Sequence, residues 1–322
     1  MHHLPKNEPI VMLWRTRPCV MLGNYQVVDA EIDIALAERM NIQIVRRSSG
    51  GGTIFTDQGT ILYTVILHYT EGEDVKLLQR EFVAGPVIRA LNDMSIPVKM
   101  EGRNDIVLEG KKISGLAQYL SGDRLCSHGS LLYDADLELL AKVLRPDSEK
   151  IQTKALQSVR GRVANIAEYM HRRLPVERFQ EALKKKLFES RDVQEYFLSE
   201  QEIERIEQIR REKYSNPEWI YGKNPRFTYQ YKKRFPMGTL EVFLDVKNGL
   251  IISCQIFGDF LGLIPVGELE DRMVMKPYSF HVIKEELMKV NLQNYLGGIT
   301  SQQLLECLFG RNEECASSAL NI

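Results

Sequence analysis

The stretch "RRSSGGGTIFTD", residues 46–57, constrains this chain more than any other. Three consecutive glycines cost conformational entropy on folding and bring no side chain to bury. Such a run is worth that cost where backbone must lie close against something else. The strand-like "IQIVRR" leads into it and "TIF" leads out, so the glycines form a loop between two strands. A loop of this kind exposes backbone N–H groups that bind anionic oxygens. Arg46 and Arg47 add charge-assisted donors whose geometry suits phosphate or carboxylate. The loop is not a Walker sequence, because G-x-x-x-x-G-K-[ST] is absent, and no G-x-G-x-x-G opens a helix. Read alone, it is equally a tight structural turn with solvated arginines.

The rest of the chain narrows the class. Its 322 residues suffice for two domains with a buried core. Net charge is −1, so no global field draws it to nucleic acid or to a membrane surface. No apolar run reaches the roughly 20 residues that span a bilayer. The opening "MHHLPKNEPIVMLW" lacks the ordered basic and apolar regions of a secretory signal. Cys19, Cys126, Cys254, Cys307 and Cys315 are scattered without C-x-x-C spacing, which suggests neither a zinc site nor a disulfide framework. A reduced cytoplasm is the expected setting.

Local patterns give the elements. Two short strands flank a turn at Arg17-Pro18, and 29–41 has helical spacing. "GTILYTVILHY" (59–69) reads as a strand. Residues 76–95 read as a helix with a kink or break at Gly85-Pro86. Residues 105–120 read as a hairpin turning at "EGKK". Residues 127–144 read as a strand and then a helix capped by Asp134 or Asp136. Charged helices run to about Tyr214, and the Pro/Gly/Asn-rich 215–227 reads as a linker. Beyond it, 238–260 alternates cleanly about Asn248-Gly249, a strong hairpin signal. Helices are expected at 280–290 and 300–309. The division is therefore a mixed α/β domain at 1–222 and a small α+β domain at 223–322.

Two further constellations carry chemistry. In "GRNDIVLEGKKISGLAQY" (102–119), Asn104 and Asp105 sit at the mouth of a strand. An Asp there suits Mg²⁺, and an Asn amide suits a phosphate. Lys112 lies on the return strand, where its ammonium can stabilise charge developing on an oxygen. The bland alternative is a polar hairpin with solvated edge lysines. In "CSHGSLL" (126–132), His128 either faces a site or is simply satisfied in the sheet.

Taken in order, "RRSSGGGTIFTD", "GRNDIVLEGKKISGLAQY", "HGSLLYDADLELLAKVLRP", "KALQSVRGRVANI" and "PEWIYGKNPRF" closely resemble the lipoate–protein ligases over nearly the whole chain. The resemblance implies a mixed-sheet catalytic domain of the biotin/lipoate ligase type, α/β (α+β), plus a small α+β accessory domain. It implies two steps: free lipoate and Mg-ATP give lipoyl-adenylate, and an acceptor lysine then takes the acyl group. It implies that Arg47 contacts the nucleotide phosphates and that Gly52, Thr53, Ile54 and Phe55 wall the adenylate, with Gly51 beside them. Asn104 and Asp105 then belong near the phosphates, with Asp105 as the Mg²⁺ ligand. Lys112 contacts both the acyl carbonyl and the α-phosphate. Ser114, Gly115, His128 and Gly129 complete the implied adenylate site. The implied acceptors are the glycine-cleavage H protein, an H-like relative or E2 subunits of 2-oxoacid dehydrogenases, and the implied state is a monomer.

The chain departs from the family pattern at Thr56, where members usually carry His, and at Thr60, where they usually carry Asn. Both changes lie beside the implied wall and bear on acyl-chain preference or activity. "GNYQVV" (23–28) also lacks the usual Arg and Asn. The chain opens where the family's first helix ends, so an upstream start is expected. The rival readings are an octanoyl or lipoyl transferase of the same fold and a non-catalytic lipoate-binding paralogue. The transferase needs a nucleophilic cysteine, and residues 95–104 contain none. A biotin ligase would need a basic G-R-G-R-type loop, which is absent. The lysine run 184–186 sits among glutamates on a charged helix, so no nucleic-acid role is read from it.

Overall fold

The run of β-branched and aromatic residues at 60–68 forms the second strand of a six-stranded antiparallel sheet. The computed structural model describes residues 8–144, 161–189, 193–221 and 229–309. The strands are β1 (Ile10–Trp14), β2 (Cys19–Leu22), β3 (Gln43–Arg46), β4 (Ile54–Thr56), β5 (Thr60–His68), β6 (Val98–Glu101), β7 (Asp105–Leu108), β8 (Lys111–Ser121) and β9 (Arg124–Leu132). The large sheet has the order β1-β5-β9-β8-β7-β6. The two strands flanking Arg17-Pro18 do not pair with each other. β1 joins the large sheet beside β5, whereas β2 lies between β3, parallel, and β4, antiparallel, in a three-stranded sheet.

One face of the large sheet is closed by two helical stretches. Ile61, Tyr63, Val65 and Leu67 of β5 meet Val83, Val87 and Leu91 from the first and Phe179 and Leu183 from the second. The first stretch runs from Val75 to Asp93 and does not break at Gly85-Pro86. Instead, its backbone widens into a π-helical segment, Gln79–Ala84, immediately before Gly85. The wider turn accommodates a proline that has no N–H to give to the preceding turn. The helix Leu137–Val143 is capped by Asp136, whose carboxylate accepts from the N–H groups of Glu138 and Leu139. The stretch "KALQSVRGRVANI" lies partly, and residues 222–228 wholly, outside the described residues.

The contacts divide the chain into two compact units. The first comprises Met1–Leu22, Asp29–Arg46 and Thr53–Ile220. The second comprises Tyr221–Ile322 together with two short segments, Gly23–Val28 and Arg47–Gly52. The second unit has its own sheet, β10 (Tyr229–Phe235), β11 (Gly238–Lys247) and β12 (Leu250–Gly258), in that order. The β11–β12 turn is Asn248-Gly249, with φ of 52° and 74°, the two left-handed residues a tight hairpin requires. Helices Phe280–Met288 and Ser301–Phe309 stand where their spacing predicts, and Gly267–Met273 and Leu292–Leu296 add two short ones. Leu240, Val242 and Ile256 pack with Leu269, Ile283 and Leu304 in this unit's core.

Candidate active site

The site side chains of the first unit are sorted by strand alternation. Register aligns Trp14, Leu62, Ser130, Gly115, Asp105 and Glu101 in one row across all six strands. The next row on the same face holds Met12, Thr64, His128 and Ala117. This is the face opposite the helix-packed core. Lys112 joins it through a β-bulge: Ile106 pairs with Ser114 and Val107 with Lys112, leaving Ile113 unopposed. The Lys112 Nζ lies 2.8 Å from Asp105 Oδ1, with both side chains partly open to solvent. The contact is an ion pair, and Asp105 Oδ1, itself buried, has no hydrogen-bond partner among the described residues.

Asn104 sits in the tight turn before β7. Its side-chain amide donates to the Leu116 carbonyl at 2.6 Å, and its own carbonyl accepts from the Leu116 N–H at 2.8 Å. It therefore fixes the approach of Asp105 to β8. Ser114 and Gly129, which the sequence groups with Lys112, lie on the other face. The Ser114 hydroxyl bonds the Tyr63 hydroxyl at 3.0 Å inside the core. A Cβ at Gly129 would fall 2.3 Å from that same Tyr63 oxygen. Alternation is the reason: residues next to one another on a strand point to opposite sides.

The glycine loop also resolves residue by residue. Arg46 does not reach outward. It is buried, its Nε and Nη2 donate to the Ile220 carbonyl and its Nε also to that of Trp219, while the Trp219 indole N–H donates to the Arg46 carbonyl. Burial lowers its pKa to about 10. Arg47, in the second unit, folds back on the loop and donates to the carbonyls of Gly50 and Gly52 and to the Ser49 hydroxyl. The Gly51 N–H, expected to be open to an anion, donates to the Phe260 carbonyl at 3.0 Å. A Cβ at Gly50 would fall 2.4 Å from that carbonyl oxygen, so this glycine serves close backbone packing. Gly52 differs: a Cβ there would meet nothing within 4 Å, and its φ is not positive. The fold itself does not require glycine at that position.

Thr53 and Ile54 are half-buried, and Phe55 is buried opposite Val20 on β2. The two departures are satisfied internally. The fully buried Thr56 shares a hydroxyl contact of 2.7 Å with Thr16. The Thr60 hydroxyl donates to Asp57 Oδ1, which also accepts from the Gly59 N–H, while Oδ2 accepts from the Asp136 N–H. Asp57 thus ties the β4–β5 turn to the start of the helix Leu137–Val143. Sequence reasoning gave Asp57 no role, because its partners are 79 positions away at Asp136 as well as local.

Among the described residues every cysteine is buried. Burial pushes the thiol of Cys126 up to about 11 and those of Cys19 and Cys307 to about 12, and raises that of Cys254 further. None is a ready nucleophile. Also among the described residues, no group of three or more His, Cys, Asp or Glu side chains is arranged to hold a metal ion, and no helix is long and apolar enough to cross a membrane.

Residues 1–188 match the family model described as "Lipoyl protein ligase A/B catalytic domain", and residues 224–308 match "Bacterial lipoate protein ligase C-terminus". The chain belongs to the lipoate–protein ligase family. It is 36% identical over 310 residues to lipoate-protein ligase LplJ of Bacillus subtilis, covering 95% of this chain and 93% of that one. Among solved structures it resembles LipL1 of P. falciparum in complex with lipoate, at a TM-score of 0.72 and 26% identity over 88% of this chain and 83% of the other. It also resembles a bipartite lipoate protein ligase of Thermoplasma acidophilum described with its E2 lipoyl domain, at a TM-score of 0.63 and 25% identity, covering 71% and 90%. This lipoate–protein ligase is thus a two-part enzyme of mixed α and β structure.

Proposed function

We propose that this ligase joins free lipoate to one lysine of an acceptor protein with cleavage of ATP, and that Lys112 acts in both steps. In the first, a lipoate carboxylate oxygen bonds to the α-phosphorus while pyrophosphate leaves with the electrons of the broken P–O bond. In the second, the acceptor amine attacks the acyl carbon, AMP leaves with the acyl–oxygen electron pair, and the amine gives up a proton. Both steps gather negative charge at oxygens on the acyl carbonyl and α-phosphate, where a fixed cation lowers the barrier.

The observation that carries this reading is the partly exposed Lys112–Asp105 pair on the face of the sheet opposite the helix-packed core, with Asp105 in line with Gly115 and one row from His128. Asp105 pairs electrostatically with the ammonium, whose N–H donors are then available to substrate oxygens. Gly52 supports contact with a flat ligand, since the space at its Cβ position is open. Arg47, Gly51, Thr53, Ile54, Phe55 and Asn104 belong to this reading as residues implied by the family pattern. The structure leaves Ser114 and Gly129 only their backbones for that purpose.

Asp105 is one carboxylate already paired with a lysine, and no metal cage surrounds it among the described residues. Asp105 would be the protein carboxylate nearest a Mg²⁺ ion brought by the nucleotide, which would supply charge neutralisation at the phosphates. By analogy with the Thermoplasma pair, the acceptor is a lipoyl domain of an E2 subunit or the comparable H protein. A cytoplasmic monomer is part of the same proposal.

The test is intact-mass analysis of an apo acceptor after incubation with enzyme, lipoate and Mg-ATP. A lipoyl mass gain that needs ATP supports the ligase, and gain from a lipoyl or octanoyl donor protein without ATP would instead establish the transferase. Lys112→Ala is expected to lose both half-reactions by about a thousandfold while its circular dichroism is unchanged. Adenylate formation near the wild-type rate by that variant would remove Lys112 from the mechanism.

A further inference from the structure

We propose that Gly115 is a positioning residue, which sets where the Lys112 ammonium can lie, and that the bulged Ile113 turns Lys112 toward it. The inference rests on the reading of Lys112 given above. In a regular strand, residues 112 and 115 would face opposite sides. They share a side here because Ile113 is an extra residue, unopposed on β7 and fully buried in the helix-packed core. The backbone of Lys112 is then held from both edges. β7 pairs with it through Val107, and Val163 bridges it on the other side, where the Ala164 N–H donates to the Lys112 carbonyl at 3.1 Å.

With the backbone fixed, the side chain's course depends on what lies beneath it. A Cβ at Gly115 would stand 3.0 Å from Lys112 Cε, 3.0 Å from its Nζ and 3.9 Å from Asp105 Oδ1. The φ of Gly115 is not in the left-handed range, so the backbone does not demand glycine. The contrast with other glycines is informative. A Cβ at Gly59 would fall 1.9 Å from the Asp134 carbonyl oxygen, and one at Gly129 would strike the Tyr63 ring, so those two are demands of the fold. At Gly115 the neighbour is the far end of a flexible side chain, which can move aside. The fold can take a methyl group there, but the ammonium must then give way by a few tenths of an ångström.

The test is Gly115→Ala with lysine labelled at Cε and Nζ, the Lys112 signals being assigned by their loss in Lys112→Ala. The variant is expected to fold with a Tm within about 3 °C of wild type, since the displaced group is a partly exposed lysine end. Its Lys112 signals should shift in the free enzyme. The kcat for lipoyl-adenylate formation should fall by about tenfold, less than the hundredfold that a full 1 Å misplacement of a reacting group costs, with the KM for ATP changed less than about threefold. In the Lys112→Ala background, Gly115→Ala should add no further loss in affinity for a non-hydrolysable lipoyl-adenylate analogue. Unshifted Lys112 signals, an unfolded Gly115→Ala protein, or an equal further loss in the Lys112→Ala background would each overturn the proposal. The signals are read without turnover. A wild-type enzyme that forms no adenylate would therefore overturn the functional reading alone.

Discussion

Arg46 sets a guanidinium against the last carbonyls of the helix Pro217–Tyr221 and receives the Trp219 indole in return. Removing a buried, hydrogen-bonded cation leaves these carbonyl acceptors unpaired. Arg46→Met is therefore expected to lower the unfolding free energy by about 3 kcal/mol, read from a urea titration. Arg47 is partly open and donates to the nearby carbonyls of Gly50 and Gly52, so Arg47→Met should cost less, about 1 kcal/mol. Nothing in the residue types separates the two arginines. Their roles diverge because β3 ends at Arg46, whose partners lie 173 and 174 positions away. Lys112 was legible as the candidate cation from its strand and its neighbours. Its pairing with Asp105 was not, because it depends on a bulge that no local pattern announces.

At the scale of elements, positive φ at paired turn residues decides two hairpins. Glu109-Gly110 closes β7 onto β8, with φ of 49° and 76°, and Asn248-Gly249 closes β11 onto β12. Gly249→Ala is expected to destabilise the second unit by about 1 kcal/mol or slightly more, because an L side chain resists the left-handed region. Thermal melts of the intact chain followed by near-ultraviolet circular dichroism would measure it. Such turns are readable from sequence because Asn-Gly is both rare elsewhere and favoured there. The helix at 76–95 was readable from its spacing, whereas its π-helical segment was not. The widening is an adjustment to Pro86 within a packed helix, and periodicity carries no record of it. β10 also escaped notice, since "YQYKKRF" has too few apolar residues to mark a strand and is held by its pairing with β11.

At the scale of the molecule, buried thiols shape the response to alkali. The Cys126 thiol has its folded pKa raised from 9.0 to about 11, chiefly by burial. The unfolded chain therefore releases this proton first, and stability should fall as pH rises from about 9 toward about 11, by roughly 2 kcal/mol for this group. Below pH 9 the contribution is fully present. Urea midpoints taken between pH 8 and 10.5 should show a smaller decline in Cys126→Ser than in wild type. The same variant should retain ATP-dependent ligation, whereas a transferase acting through this thiol would lose its activity.

The order of motifs along the chain was enough to indicate the family and the ligase activity that goes with it. Those conclusions depend on residue type and spacing, which a sequence records directly. Which glycines serve packing and which leave a surface bare was decided only in three dimensions. Gly50 and Gly52 are equivalent in the sequence, yet a Cβ would meet the Phe260 carbonyl at the first and nothing within 4 Å at the second. The same holds for Ser114 and Gly115, adjacent on β8 and turned to opposite faces. Strand alternation fixes that a pair of neighbours must part, but only register and a single bulged residue determine which of them stands beside Lys112.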